Sequence, residues 1–366
     1  MMTPKTTSTA ATATTTTVST TTDSQEFQVL TGVRDIVDRY DTFLLDMWGV
    51  MHDGTTTYDG VLQVVQKLKE LGKEMIILSN SSKRQDNSIK LLTKLGFDPK
   101  NDFSQIITSG EVSYHLLSGT RPDQSPLAPN PWNVLEQVVK PSDISSKTKK
   151  VFCFGSGDGD EDYLQSCGWT LAPMDEADLI VARGTFTMKD GSTIVHKKHD
   201  GEKAYYQAYH EQLTKGALRK VPMLVANPDK IRPDADRSPM PGTIGTDYEA
   251  KLKELSDLSD PSDMVKYIGK PFADVYEIAL RGKDKSKVCM IGDALETDVA
   301  GGSAVGIDTI WVVKNGIHNV DIERLGKGSL PTGCSEVLGK FNQVSDKTYA
   351  KGRKLMPTVV LPAFAW

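Results

Sequence analysis

Cysteine is scarce in this chain of 366 residues. The four cysteines lie far apart and none of them forms a CxxC pair: Cys153, Cys167, Cys289 and Cys334. Sparse, scattered cysteine argues against a disulfide-stapled secreted scaffold and is typical of proteins in a reducing compartment. We therefore predict a cytoplasmic protein whose cysteines have structural or incidental roles.

Long apolar runs and an excess of positive charge are also missing. No stretch approaches the roughly 20 apolar residues that span a bilayer, and the formal net charge is -5. A negative balance gives no electrostatic reason to expect nucleic acid or an anionic membrane as a partner. Neither GxxxxGK[ST] nor GxGxxG occurs in the sequence, so no nucleotide-binding loop is indicated.

The N-terminal segment has few apolar residues with which to bury a core. Its first 23 residues are mostly Thr, Ser and Ala, with one Lys and one Asp. This composition predicts a disordered tail over residues 1–28. A hydroxyl-rich, acid-poor start also resembles an organelle transit peptide, although Arg is absent. We prefer the plain tail and keep targeting to a mitochondrion or plastid as the alternative.

Short apolar runs alternate with helical patterns from residue 42 onward. The runs at 42–45, 75–79 and 105–109 suit parallel strands that are buried on both faces. A strand, a helix and a second strand with short connections form a βαβ unit, whose crossover is right-handed. This connection places Asp46 and Ser79 at the same edge of the sheet.

The chain is long enough for two domains, and its pattern predicts an α/β fold with one domain inserted into another. A second series of strands and helices begins near Lys150, after a Pro-rich stretch over residues 118–145, and the first pattern resumes after Pro241. We predict a doubly wound parallel-sheet core interrupted by an inserted α/β cap domain. The expected divisions are 29–111 and 240–319 for the core, 112–239 for the cap, and 320–366 for a C-terminal extension. The apolar end of this extension, PTVVLPAFAW, is expected to dock on a sheet edge or in a dimer interface.

Four short segments group into one candidate site. They are Asp46, the pair Ser79–Asn80, Lys270, and Asp293 with Asp298. Each alone is more often a helix cap, a turn residue or a solvated lysine. Together they lie at strand ends or before helices, where open α/β sheets bind their ligands. A carboxylate can attack a phosphoryl group, and Mg²⁺ prefers oxygen ligands, so the group predicts a magnesium-dependent site with a nucleophilic aspartate.

The same segments carry a resemblance to a known family. DMWGVMHDG, LSNSSKR, IGKPFADVYEIAL and MIGDALETDVAGGSAVG resemble, in order, the four motifs of the haloacid dehalogenase superfamily. The position of the inserted domain, between the second and third motifs, resembles class IIA, which includes p-nitrophenyl, phosphoglycolate and pyridoxal phosphatases and bacterial nucleotidases. The likeness spans about residues 33–318, and it implies a Mg²⁺-dependent phosphatase that acts on a small phosphorylated metabolite.

The resemblance also implies a role for each matching residue. Asp46 would be the nucleophile and a metal ligand, and Lys270 would steady the phosphoryl group that Ser79 and Asn80 bind. The metal would also be held by the backbone carbonyl of Trp48 and by Asp293, with Asp298 beside it. No nucleic acid or membrane partner is implied, and a homodimer is possible on this reading.

One residue departs from the family pattern. Trp48 stands where phosphatases of the superfamily carry a second aspartate that protonates the leaving group. General acid–base help is worth about 10²–10⁴-fold in rate, so a phosphatase without it is expected to be slow unless another residue takes over. The neighbouring His52 and Asp53 are candidates, although turn residues of these types more often have structural roles. The alternatives are a weakly active phosphate-binding protein and a dehalogenase-like reaction at Asp46.

Overall fold

The computed structural model describes residues 27–118, 149–157, 159–232, 237–344 and 354–366. The predictions for the N-terminal tail up to residue 26 and for most of the Pro-rich stretch fall outside these ranges. Within the described ranges, no helix combines the length and the apolar character needed to cross a membrane.

The first domain is built on a sheet of seven parallel strands. Their bounds are β1 Gln28–Val29, β2 Thr42–Leu45, β3 Glu74–Ser79, β4 Gln105–Thr108, β12 Val288–Gly292, β13 Asp308–Val312 and β14 Val359–Leu361. The order across the sheet is β1-β14-β13-β12-β2-β3-β4. The central strands are buried and, apart from Thr42, carry no polar side chain, as expected for parallel strands covered on both faces.

Helices cover both faces of this sheet. The first connecting helix, Val61–Glu70, buries Val61, Val64, Val65 and Leu68 at helical spacing. It exposes Lys69 and Glu70. The segment between β1 and β2 contains a single 3₁₀ turn, Val33–Asp35. The others are Gln85–Lys94, Pro99–Asp102, Ser109–Ser118, Ala273–Ala279, the 3₁₀ turn Lys285–Lys287, the π-helical turn Leu295–Val299, Ala300–Val305, Asn319–Gly326 and Leu330–Val344.

The second domain has its own mixed sheet. Its strands are β5 Lys150–Gly155, β6 Thr170–Leu171, β7 Leu179–Ala182, β8 Thr187–Lys189, β9 Thr193–His196, β10 Met223–Val225 and β11 Val265–Tyr267. They run in the order β11-β10-β7-β5-β8-β9, with β6 beside β5. The pairs β5–β8 and β8–β9 are antiparallel. The helices are Asp160–Ser166, Lys197–Asp200, Glu202–Arg219, Pro241–Leu255 and the 3₁₀ turn Pro261–Met264.

The inserted domain continues well past its expected end at residue 239. Helix Pro241–Leu255 buries Ile244, Tyr248 and Leu252 in the apolar core of the second sheet, and β11 pairs with β10 of that sheet. Residues 241–267 therefore belong to the cap rather than to the second core segment. The boundary predicted at residue 239 was wrong because an amphipathic helix has the same sequence pattern whichever sheet it covers.

The C-terminal segment is part of the core sheet. Strand β14 lies between β13 and β1, and all three of its residues are buried. The expected place at the sheet edge is wrong for these residues, because β1 forms the edge instead. The alternative, a dimer interface, stays a prediction. A short apolar run between two prolines gave no hint of which neighbour it would pair with.

The sheet order brings the predicted site residues together. Strands β2, β3 and β12 are neighbours, with Leu45 aligned to Ile77 on one side and to Ile291 on the other. Parallel strands have their carboxyl ends at one edge, so Asp46 and Asp293 leave the sheet at the same level. This is the crevice in which open α/β sheets bind ligands.

Candidate active site

A buried ion-pair cluster lies at the carboxyl end of the central strands. The ammonium Nζ of Lys270 is 2.5 Å from Oδ1 of Asp46 and 2.7 Å from Oδ1 of Asp298. Lys270 is 2% exposed and Asp298 is 1% exposed. Asp46 directly follows β2, Lys270 lies in the turn after Ile268, and Asp298 lies in the π-helical turn after β12. Because these segments are far apart in the chain, the cluster exists only in the folded core.

Asp293 completes the cluster from the end of β12. Its Oδ2 accepts a hydrogen bond from the backbone N–H of Ile317 at 2.8 Å, and its backbone carbonyl accepts one from the indole N–H of Trp311 at 2.9 Å. One carboxylate oxygen from each of Asp46, Asp293 and Asp298 lies within 4.8 Å of the other two. The three predicted acidic residues are therefore brought together.

The cluster has more negative than positive charge. Burial raises the pKa of Asp293 well above its usual value, and the charges of Asp46 and Asp298 raise it further. Burial also raises the pKa of Asp46 and brings that of Asp298 to about 6, against the opposing effect of Lys270. Burial disfavours the charged form of Lys270, but Asp298 and Asp46 outweigh it and raise the Lys270 pKa.

The donor set suits a divalent cation. Three carboxylates against one ammonium leave two negative charges uncompensated when all groups are ionised, and oxygen ligands are those that Mg²⁺ prefers. A cation of charge +2 would balance this excess. The residues present therefore fit the metal that the sequence predicted.

Asn80 links the second and third motifs. Its side-chain NH₂ donates to the carbonyl oxygen of Lys270 at 2.9 Å and to Oδ1 of Asp229 at 2.8 Å, and its Oδ1 accepts from the N–H of Lys270 at 2.7 Å. Asn80 thus fixes the backbone that carries the lysine. Ser79, at the end of β3, accepts an N–H from Ser81 through its hydroxyl oxygen at 3.2 Å.

Trp48 lies in the turn that follows Asp46 and packs within that turn. Its ring makes an edge-to-face contact with the ring of His52, with centroids 5.8 Å apart. A side chain added at Gly54 would come within 2.6 Å of the same indole. The indole therefore shapes its own loop, and it offers no titratable group to a substrate.

Neither neighbour suggested by the sequence is suited to replace the missing acid. His52 is 1% exposed, its Nδ1 accepts the N–H of Gly54 at 2.9 Å, and burial lowers its pKa to about 4, so it is neutral near pH 7. Asp53 caps a turn by accepting backbone N–H groups from Thr55 and Thr56 at 2.8 Å. These hydrogen bonds, that of Thr56 first, lower the pKa of Asp53.

Asp229 is a site residue that sequence reasoning did not single out. It comes from the inserted domain, two residues after Asn227 in the loop that follows β10, and Asn80 binds its carboxylate. The sequence around Asp229 could have pointed to it, because Asp229 is an acidic residue that follows an apolar strand closely, as Asp46 does. What the sequence could not reveal is that this loop reaches the core site.

Two family models match the chain, one on each side of the insertion. The haloacid dehalogenase-like hydrolase model covers residues 43–170, and the HAD-hydrolase-like model covers residues 267–332. The chain belongs to the haloacid dehalogenase superfamily. The α/β domain between Asn80 and Lys270 agrees with the cap of class IIA, so the recognition made from the four motifs is confirmed.

Curated relatives of this haloacid dehalogenase-superfamily chain include two phosphatases. Phosphoglycolate phosphatase 2 of Arabidopsis thaliana is 24% identical over 294 residues, which is 76% of this chain and 85% of the relative. The acid sugar phosphatase of Staphylococcus aureus is 25% identical over 280 residues, which is 75% of this chain and 86% of the relative.

Solved structures confirm the fold of this superfamily member. A haloacid dehalogenase-like hydrolase from Brucella suis superimposes with a TM-score of 0.61 at 22% identity, covering 92% of this chain and all of that one. The p-nitrophenyl phosphatase of Archaeoglobus fulgidus gives a TM-score of 0.55 at 22% identity, with 89% and 97% covered. At these identities the likeness shows the doubly wound core with its α/β cap, as predicted, and no more.

Proposed function

We propose that this protein is a Mg²⁺-dependent phosphatase that hydrolyses a small phosphorylated metabolite with Asp46 as the nucleophile. The observation that carries the proposal is the pairing of Asp46 with Lys270 inside the carboxylate cluster. The relatives named phosphoglycolate phosphatase and acid sugar phosphatase support the reaction class. They differ in substrate, so the metabolite itself stays open.

Each site residue has a separate role in the proposed reaction. A carboxylate oxygen of Asp46 attacks phosphorus, the ester P–O bond breaks, and its electron pair goes to the leaving oxygen. Lys270 brings positive charge to the oxygens of the transferred group, while Ser79 and Asn80 line the strand end where that group would lie. Water then attacks the aspartyl-phosphate, and breakage of its P–O bond returns the Asp46 carboxylate and inorganic phosphate.

Asp46, Asp293 and Asp298 would hold the magnesium ion, together with the backbone carbonyl of Trp48. When bound, Mg²⁺ supplies charge that reduces repulsion between the anionic nucleophile and the anionic phosphate. The free, buried state of all four cysteines supports our expectation of a reducing, cytoplasmic location. A homodimer remains part of the proposal, without nucleic acid or membrane as partner.

A panel of phosphate esters with Mg²⁺ tests the proposal on three proteins: wild type, Asp46→Asn and Trp48→Asp. We expect wild-type turnover that is lost in Asp46→Asn, because an amide is a poor nucleophile. Thermal unfolding of each variant controls for misfolding. Equal background rates in all three proteins, each folded, would refute the catalytic role of Asp46.

Activity assays with phosphate esters and with a haloacid separate the two rivals. Trp48 motivates the first, a phosphate-binding protein with negligible turnover, and activity that appears only in Trp48→Asp would favour it. The second is carbon–halogen cleavage at Asp46, which needs no metal. Turnover of a haloacid that persists in EDTA would favour the dehalogenase and contradict our proposal.

A further inference from the structure

A carboxylate from the inserted domain enters the core site. Asp229 lies in the loop after β10, and its Oδ1 accepts a hydrogen bond from the amide of Asn80 at 2.8 Å. The same amide donates to the carbonyl oxygen of Lys270 at 2.9 Å. Since the ammonium of Lys270 contacts Asp46, one buried asparagine ties Asp229 to the residue beside the nucleophile.

Charged residues of the third and fourth motifs act on the pKa of Asp229. The charge of Lys270 lowers this pKa and the charges of Asp298 and Glu296 raise it, while the amide of Asn80 donates a hydrogen bond to the carboxylate. Its own negative charge raises the pKa of Asp46, so the two carboxyl groups lie close enough to interact. Asp229 is thus within the electrostatic reach of the nucleophile, although it belongs to the other domain.

Two features make Asp229 able to exchange a proton. Burial raises its pKa to about 6, against the opposing effects of the Asn80 hydrogen bond and of Lys270, so the carboxyl form persists in weakly acidic solution. Its side chain is partly exposed, whereas Asn80 and Lys270 beneath it are buried. Within the described residues Oδ2 of Asp229 accepts no hydrogen bond, which leaves that oxygen available to a ligand.

We propose that Asp229 donates the proton that the leaving group needs and later accepts one from the attacking water, the role that Trp48 cannot fill. The inference rests on the proposed phosphatase function. His52 and Asp53 are unsuited to replace the aspartate that Trp48 displaces. Asp229 would therefore be the acid of this site.

The proton balance closes over the two half-reactions. As the ester P–O bond breaks, the Asp229 carboxyl gives its proton to the leaving oxygen, which departs as an alcohol, and Asp229 becomes a carboxylate. As water attacks the aspartyl-phosphate, that carboxylate takes a proton from it. Asp46 leaves as a carboxylate, inorganic phosphate is released, and Asp229 is again protonated.

The variant Asp229→Asn separates this role from a purely structural one. A carboxamide oxygen at this position can still accept the N–H of Asn80, so the tie between the domains is kept while the proton is lost. The measurement is kcat/KM for an alkyl phosphate and for p-nitrophenyl phosphate. An alkoxide leaves poorly without a proton, whereas p-nitrophenolate is a stable anion, and kcat/KM reports the first half-reaction only.

We expect Asp229→Asn to lower kcat/KM by about 10²-fold for the alkyl ester and to change it little for p-nitrophenyl phosphate. An equal loss for both esters, or no loss for either, overturns the assignment of Asp229 and leaves the phosphatase standing. Wild type that turns over neither ester overturns both proposals. The matched control is Asp53→Asn, which removes a carboxylate from the turn after Trp48 and should change neither value.

A second measurement covers the case in which Asp229→Asn does not fold. For wild type, kcat/KM across a series of substituted phenyl phosphates should depend only weakly on the basicity of the leaving phenol, because the departing oxygen is protonated. A steep dependence means that the oxygen leaves unprotonated, and it would overturn the role of Asp229 without any variant.

Discussion

Gly49, one residue after Trp48, shows how closely the nucleophile loop and the acidic cluster fit. Its φ is +79°, in the left-handed region that favours glycine. A Cβ added at this position would lie 2.4 Å from Oδ2 of Asp293. The glycine is therefore needed both for the turn and for the approach of the loop to a proposed metal ligand.

The variant Gly49→Ala should lose function beyond its effect on stability. The left-handed backbone costs an L-residue about 1 kcal/mol, and the methyl group must also displace the Asp293 carboxylate. We expect at least a tenfold rise in the Mg²⁺ concentration needed for half-maximal phosphatase activity. The control is Gly282→Ala, which has φ +70° and open space within 4 Å of where the new methyl group would lie. An equal Mg²⁺ requirement in both variants would contradict the packing argument.

Sequence reasoning worked best for residues whose role depends on local position. A carboxylate directly after a buried strand marks the ligand-binding edge of a parallel sheet, so the meeting of Asp46 and Asp293 at one edge could be predicted once the segments were taken together. Asp229 was not, because its importance depends on a contact with Asn80, 149 positions away along the chain. Patterns along one strand carry no information about such a distant partner.

Helix Ser109–Ser118 of the core makes hydrogen bonds with the cap. Its Glu111 makes two hydrogen bonds to the Arg84 side chain, at 2.5 and 2.8 Å. From the cap, the hydroxyl of Tyr163 donates to the carbonyl of Gly110 at 2.7 Å, and the indole of Trp169 donates to that of Leu117 at 2.8 Å. The helix thus holds the second-motif loop and the cap in one arrangement.

Acid should weaken this junction. Burial alone would raise the pKa of Glu111, but hydrogen bonds from His115 and Arg84 outweigh it and lower the pKa to about 2. A carboxylate with a lowered folded-state pKa stabilises the fold above its unfolded pKa of about 4.3 and loses that effect as pH falls. The free energy of unfolding of wild type should therefore fall toward that of Glu111→Gln between about pH 5 and pH 3.

Urea unfolding of both proteins at several pH values measures this convergence. The control is Glu323→Gln, which removes an exposed acidic side chain. Its free energy of unfolding should change with pH in parallel with that of wild type. A gap between wild type and Glu111→Gln that is constant down to pH 3 would show that the Arg84 pair does not stabilise the junction.

At the scale of the whole molecule, metal binding and folding should be coupled. The acidic cluster draws its carboxylates from β2 and from the segment after β12, which are more than 240 positions apart in the chain, so an unfolded chain has no comparable site. A ligand that binds only the folded state adds about 2.7 kcal/mol of stability at a concentration 100-fold above its Kd.

We expect Mg²⁺ to raise the thermal unfolding midpoint of wild type relative to the same protein in EDTA. Calorimetry or circular dichroism at a fixed pH near 7 records the shift without any need for turnover. Asp293→Asn removes one proposed ligand and should lose most of the shift. A midpoint that Mg²⁺ leaves unchanged in wild type would refute the metal site while leaving the fold assignment intact.

The sequence predicted the overall architecture correctly where the pattern is local. The prediction was wrong where the paired strands lie far apart in the chain. Apolar strand runs and amphipathic helices gave the core, the insertion and the order of the motifs. The predicted cap boundary was wrong because β11 pairs with β10, although helix Pro241–Leu255 lies between them in the chain. The predicted position of the C-terminal strand was wrong because three apolar residues do not specify a neighbouring strand. Long-range register is set by tertiary packing rather than by the segment itself.

The place of β14 in the sheet has a consequence for biosynthesis. Strand β1 has β14 as its partner, and β14 is translated more than 300 residues after it. The edge of the sheet therefore cannot close while the polypeptide between these two strands is still being elongated. Until β14 is available, β13 lacks its hydrogen-bonded neighbour on that side of the sheet.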